Sequence, residues 1–119
     1  EFDQIKQHPL IGETIVEPLG LLPEERAIVR NHHERWDGRG YPDGLAGEEI
    51  PLLARVLAVT DAFDAMTTTR SYRQAMSLES AMAEMRRCMG TQFDPNICAM
   101  WIEAVEKGVI LLDGRACCA

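Results

Sequence analysis

The chain has 119 residues, with 12 Lys and Arg against 19 Asp and Glu and a formal charge of −7, which excludes the broad basic surface that a nucleic-acid polymer requires. Its hydrophobic content of 46% excludes general disorder, and no apolar run approaches the roughly 20 residues of a membrane span. One domain is expected, without a secretory leader and in the cytoplasm; Cys88, Cys98, Cys117 and Cys118 have no CxxC spacing and read as reduced thiols.

Apolar residues at Ile5, Ile11, Ile15 and Leu19 keep a helical period from Phe2, and Pro9 is expected to end one helix, with His8 at its C-terminus, and to open the next. Pro23, Glu24 and Glu25 supply a good first turn for a helix predicted to run to about Trp36. Asp37 to Pro51 holds four of the nine glycines and two prolines, a density of breakers that predicts a long loop, and such loops are disproportionately functional. The next helix runs through Met66 and is expected to be central, packed by Leu53, Val56, Leu57 and a set of alanines. Ser77 caps a fourth helix with the stripe Ala81, Met82, Met85 and Met89, stopped by Gly90. Asp94 and Pro95 open a fifth, with Ile97, Cys98, Trp101 and Val105 on one face and Gly108 at its end. Val109 to Ala119 gives little signal, and no convincing strand pair appears, so the fold class is all-α: a bundle of about five helices around a long Gly/Pro-rich loop.

Two of the three histidines, His32 and His33, are adjacent where a helix opens onto that loop. Pointing about 100° apart on a helix, they suit one metal approached from two sides or two neighbouring metals. The plain structural alternative is one histidine packed inward and the other solvated. Asp61 stands among Val56, Leu57, Val59, Ala62 and Phe63, where a lone carboxylate is costly unless it binds metal or pairs with an arginine such as Arg55 or Arg30. Asp64, three residues on, shares its face and either joins in binding or is a solvated acid. Imidazole with carboxylate suits iron, manganese or zinc better than calcium or magnesium. Such an ion activates water directly, so phosphoester hydrolysis needs no serine or cysteine nucleophile. Arg70, Tyr72 and Arg73 offer guanidinium groups for phosphate and a ring for a base, or are surface side chains; Tyr41 either serves a ligand or anchors its loop. The loop from Asp37 is no calcium-binding hand, because Pro42 stands where the sixth-position glycine is needed.

HHERWDGRGYPDG, from His32 to Gly44, resembles the signature from which HD-GYP domains take the second half of their name. QHPLIGETI at Gln7 to Ile15, ARVLAVTDAFDAMTTTRSYR at Ala54 to Arg73, and GTQFDP at Gly90 to Pro95 are similar to that family in order and spacing, so the resemblance covers nearly the whole chain. It implies a bacterial signalling phosphodiesterase with an HD-type helical fold and a two- or three-metal centre, usually iron, that hydrolyses cyclic di-GMP to pGpG or GMP. It implies His8, His32, His33 and Asp61 as metal ligands. It places Tyr41, Asp64, Arg70 and Arg73 around the substrate, and Gly38, Gly40, Tyr41 and Pro42 in a loop that also meets partner proteins.

The family's His-Asp pair, the lysine after it and an upstream acidic ligand have no counterparts in this sequence. Residues 1–108 are therefore expected to form a partial HD-GYP domain followed by a tail at 109–119, binding metal weakly and hydrolysing cyclic di-GMP slowly or not at all. The reading from a different class is a non-catalytic interaction module that binds a signalling partner such as a diguanylate cyclase through an exposed loop bearing Trp36, Tyr41 and Leu45. Self-association into a homodimer through an uncovered apolar face is compatible with either.

Overall fold

The computed structural model describes residues 2–112 and 115–116. Cys117 and Cys118 lie outside the described residues. Five α-helices follow in order: α1 Phe2–Val16, α2 Pro23–Asn31, α3 Leu52–Thr67, α4 Leu78–Arg87 and α5 Pro95–Glu106. Short 3₁₀ turns occupy Glu17–Leu19 and Gly47–Glu49, so the long loop carries one turn of its own. Two two-residue strands, β1 Leu111–Leu112 and β2 Arg115–Ala116, pair antiparallel after α5, a small addition to the expected all-α architecture.

The hydrophobic core belongs to α3, α4 and α5. Val59 and Phe63 of α3 meet Ala81, Met82 and Met85 of α4 and Cys98, Ile102 and Val105 of α5, all buried. Phe63 and Trp101 pack edge to face with centroids 5.5 Å apart, a geometry that the ring quadrupoles favour. Burial pushes the Cys98 thiol up to about 11 and also raises Cys88, so both free thiols stay protonated and inert.

Two helix starts are set by local chemistry. The Ser77 hydroxyl accepts the Ser80 N–H at 3.1 Å, and Asp94 Oδ1 accepts the N–H groups of Asn96 at 2.9 Å and Ile97 at 3.3 Å. Asp94 also reaches across the molecule: its Oδ2 takes Arg55 Nη1 at 2.7 Å, and Arg55 Nε donates to the Ile50 carbonyl at 2.9 Å. That single pair ties the end of the long loop, the start of α3 and the start of α5 together.

Three expectations are corrected by packing. Pro9 does not break the first helix; it lies inside α1 with its ring fully buried. The lost helical hydrogen bond costs roughly 3 kcal/mol, which is offset where α1 packs closely on α2, so closely that a Cβ on Gly12 would stand 3.1 Å from Val29 Cγ1. Second, α2 stops at Asn31 and not near Trp36. The Trp36 N–H goes to the Gln92 carbonyl at 3.2 Å and the Asp37 N–H to that of Thr91 at 2.8 Å, so a tertiary partner takes donors that a longer helix would have used. Third, Asp61 is exposed on the side of α3 away from Val59 and Phe63, and Leu52, Leu53 and Val56 near the start of that helix are exposed as well. The proposed arginine partners are engaged elsewhere: Arg55 with Asp94, and Arg30 with Glu13 and Asp43.

Candidate functional site

His32 is the C-cap of α2, and its Nδ1 lies 3.0 Å from the Ile28 carbonyl and 3.1 Å from that of Val29. Carbonyls only accept, so Nδ1 carries the proton, and in the neutral ring Nε2 keeps its lone pair. The next residue, His33, turns outward. Its ring centroid is 4.1 Å from that of His32, and on its other side it stacks on Tyr41 at 5.2 Å with the planes 20° apart.

Two cavities meet at this stack. One, of about 380 Å³, is lined by His32, His33, Glu34, Arg35, Tyr41, Asp61 and Gln92 with the alanines of α3. The other, of about 450 Å³, is lined by His8, His33 and Tyr41 with Gln4 and Ile5. His33 therefore belongs to both, and its electrostatics record it. Burial lowers its pKa below the usual imidazole value, His32 and His8 lower it further, and Asp61 opposes them. The other three expected metal-ligand positions thus act on one imidazole, and the net lowering favours its neutral, ligating form.

The donor types and the His32 tautomer fit a divalent transition ion. Their number does not complete a site: among the described residues, no three of His, Cys, Asp and Glu are gathered closely enough to hold an ion.

Asp61 also faces a third cavity of about 320 Å³ with Asp64, Thr60, Thr67 and Trp101. Asp64 is exposed, accepting the Thr68 hydroxyl at 3.2 Å and standing 3.8 Å from Arg70 Nη2. Arg70 and Arg73 pair backbone to backbone across a tight turn, Arg70 N to Arg73 O at 2.8 Å. The Arg73 guanidinium turns back onto the Ala65 carbonyl. The two arginines thus border the Asp64 side of α3, and neither lines the two cavities at the histidine stack.

Residues missed by the sequence reading hold the loop in place. Arg30 grips Asp43 with two hydrogen bonds, Nε to Oδ2 at 2.9 Å and Nη2 to Oδ1 at 2.8 Å, and Glu13 with a third at 2.7 Å. Buried Asn31 adds a bond to Asp43 at 2.9 Å, and Arg35 pairs with Asp37. Trp36, Tyr41 and Leu45, expected on an exposed loop, are half-buried. The available signal was charge placement: each loop aspartate has an arginine within reach of the same run.

These pairs give the loop a pH dependence. Hydrogen bonds from Arg35 hold Asp37, and those from Arg30 hold Asp43, below the ordinary carboxylate value of 3.8. A carboxylate whose folded pKa is depressed contributes stability above its unfolded value and loses it as pH falls through the folded value. The loop is therefore expected to loosen below 3.8 while the α3–α5 core persists. Amide spectra of Gly38 and Gly44, followed against far-UV circular dichroism, check this; loop and helices lost together would contradict it.

The family model described as an HD domain matches residues 1–97. The chain belongs to the HD-domain family. It is 42% identical over 110 residues to the "Cyclic di-GMP phosphodiesterase response regulator RpfG" of Xanthomonas campestris, covering 91% of this chain and 28% of that protein. It is 39% identical over 113 residues to the "Cyclic di-GMP phosphodiesterase" of Thermotoga maritima, covering 92% of this chain and 30% of that one. The fold matches a cyclic GMP-AMP specific phosphodiesterase structure from Vibrio cholerae with a TM-score of 0.75 at 24% identity, over 88% of this chain and 24% of the other. This HD-domain chain thus spans 24% to 30% of the length of these relatives. Among the described residues, no helix is long and apolar enough to cross a membrane.

Proposed function

We propose that this chain is part of a metal-dependent phosphodiesterase that hydrolyses a cyclic dinucleotide, cyclic di-GMP before cyclic GMP-AMP, to pGpG or GMP. The observation that carries the reading is the histidine stack, with His8, His32 and Asp61 disposed around one neutral His33 in two joined cavities. The Xanthomonas campestris and Thermotoga maritima relatives, both named for cyclic di-GMP, are 42% and 39% identical to it over 91% and 92% of this chain, which supports that substrate first.

A divalent ion, iron before manganese or zinc, would supply acidified water and offset phosphoryl charge. His32 offers Nε2 because its Nδ1 proton is committed to α2. His33 offers a neutral ring whose far face is shielded by Tyr41. Asp61 adds a solvent-accessible carboxylate. Asp64, Arg70 and Arg73 form the flank suited to the substrate, with guanidinium donors matched to phosphate oxygens. A cytoplasmic setting belongs to the same proposal. So does contact with a signalling partner such as a diguanylate cyclase through Gly38, Gly40, Tyr41 and Pro42. The expected homodimer is supported by the exposed Ile5, Ile11, Ile15 and Leu19.

Elemental analysis of the purified chain beside a His32→Ala, His33→Ala variant tests the reading, with hydrolysis of cyclic di-GMP assayed in the same samples. The expected result is iron, manganese or zinc below one ion per chain, abolished in the variant, with slow turnover or none. Metal content indifferent to both histidines would overturn the assignment. Turnover near that of an intact family member would overturn the expectation of weak activity.

A further inference from the structure

Glu34 is 3% exposed, and a buried carboxylate must be satisfied or it destabilises the fold. Each of its oxygens takes one main-chain donor from the loop: Oε1 accepts the Asp43 N–H at 2.7 Å and Oε2 the Leu45 N–H at 3.0 Å. The loop segment between Glu34 and those donors folds back over the residues it left. Gly40 lies so close that a Cβ there would collide with the Arg35 nitrogen and stand 2.6 Å from both Glu34 Cα and the His33 carbonyl oxygen. The Tyr41 N–H donates to that same carbonyl at 3.4 Å, and the Tyr41 ring then stacks on His33.

We propose that Glu34 is a positioning residue: by clamping Asp43 and Leu45 it holds Tyr41 against His33, and so sets the wall between the two cavities. The two charge-assisted bonds fix the loop just after Tyr41, in the cavity that Glu34 lines with His33 and Tyr41, and the bare backbone at Gly40 holds the loop just before it. The glutamate fits this task because it presents two acceptors to two donors. A glutamine of the same size would set one amide group against an N–H and leave that donor unsatisfied. The inference rests on the phosphodiesterase reading only where His33 is treated as a site residue.

The test uses the chain in solution without metal or substrate. In the wild type, the amides of Asp43 and Leu45 should exchange roughly tenfold or more slowly than that of Gly44, because only their opening must break a charge-assisted bond. A nuclear Overhauser contact should join the His33 and Tyr41 rings. In Glu34→Gln, the ring contact should vanish and at least one of the two amides should lose its protection, while amide shifts in α4 and α5 stay as in the wild type. A ring contact that survives in Glu34→Gln overturns the proposal. Should that variant not fold, the wild-type exchange rates decide: Asp43 and Leu45 exchanging as fast as Gly44 would overturn it equally. These readouts stand or fall without reference to hydrolysis, so failure of one reading leaves the other intact.

Discussion

Asp94→Ala is expected to lower the unfolding free energy by about 4 kcal/mol, because it breaks a buried ion pair and removes a helix cap at once. Asp94 is 4% exposed, and its side chain serves Arg55 through one oxygen and the first turn of α5 through the other. Alanine leaves the Arg55 guanidinium, whose side chain is 15% exposed, with no carboxylate opposite it. Most of the cost comes from that uncompensated charge and about 1 kcal/mol from the cap. Asp94→Asn should cost less, since the asparagine oxygen still caps α5, while its amide NH2 replaces the oxygen that accepted from Arg55. Removing the cation as well, in Asp94→Ala with Arg55→Met, should recover part of the loss. Urea unfolding followed by circular dichroism measures all three; a loss under about 1 kcal/mol for the alanine variant would mean that the pair is solvated in practice.

Phe63→Ala should cost about 3 to 5 kcal/mol, by loss of transferred apolar surface plus the cavity left among side chains that cannot all collapse into it. Phe63 is 2% exposed, contacts the core formed by α4 and α5, and is the ring against which Trp101 packs. It lies two residues from Asp61 on the same helix, so it anchors the inner face of α3, while Asp61 and Asp64 on that helix are exposed. Phe63→Leu keeps most of the volume and should cost about 1.5 kcal/mol or less. Met100→Ala, at a side chain 69% exposed, should be near neutral. Equal losses at Phe63 and Met100 would show that the core does not lie where the packing puts it.

What the sequence revealed about the fold was what short-range chemistry decides. Ser77 and Asp94 with Pro95 mark their helix starts because the cap and the donors it serves lie within three residues of each other. The persistence of α1 through Pro9 and the early stop of α2 were hidden, since the first depends on burial against a second helix and the second on carbonyls at Thr91 and Gln92, far along the chain. The exposure of Asp61 was hidden for a related reason: Val59 and Phe63, two residues to either side of it, point to the opposite face of α3 and into the core. At the site, the resemblance brought His8, His32, His33, Asp61 and Tyr41 to one place, and the cavities gather them around one stack. Glu34 was passed over, and Arg30 read only as a possible partner of Asp61, because their work is to hold a loop, and a run rich in named ligands draws attention from the charges between them.

The core gathers α3, α4 and α5, whereas α1 packs chiefly on α2 and, among the residues whose burial is described, has only Pro9 fully buried. Assembly of the chain should follow that division. Contacts among three consecutive helices build the core, while α1 and α2, joined by a short connection, form a hairpin of their own. His8 comes with α1, His32 and His33 with the end of α2, and Asp61 with α3, across the boundary between the two parts. The two cavities are therefore completed where the hairpin seats on α3, and their shape should follow that docking more closely than the integrity of the core.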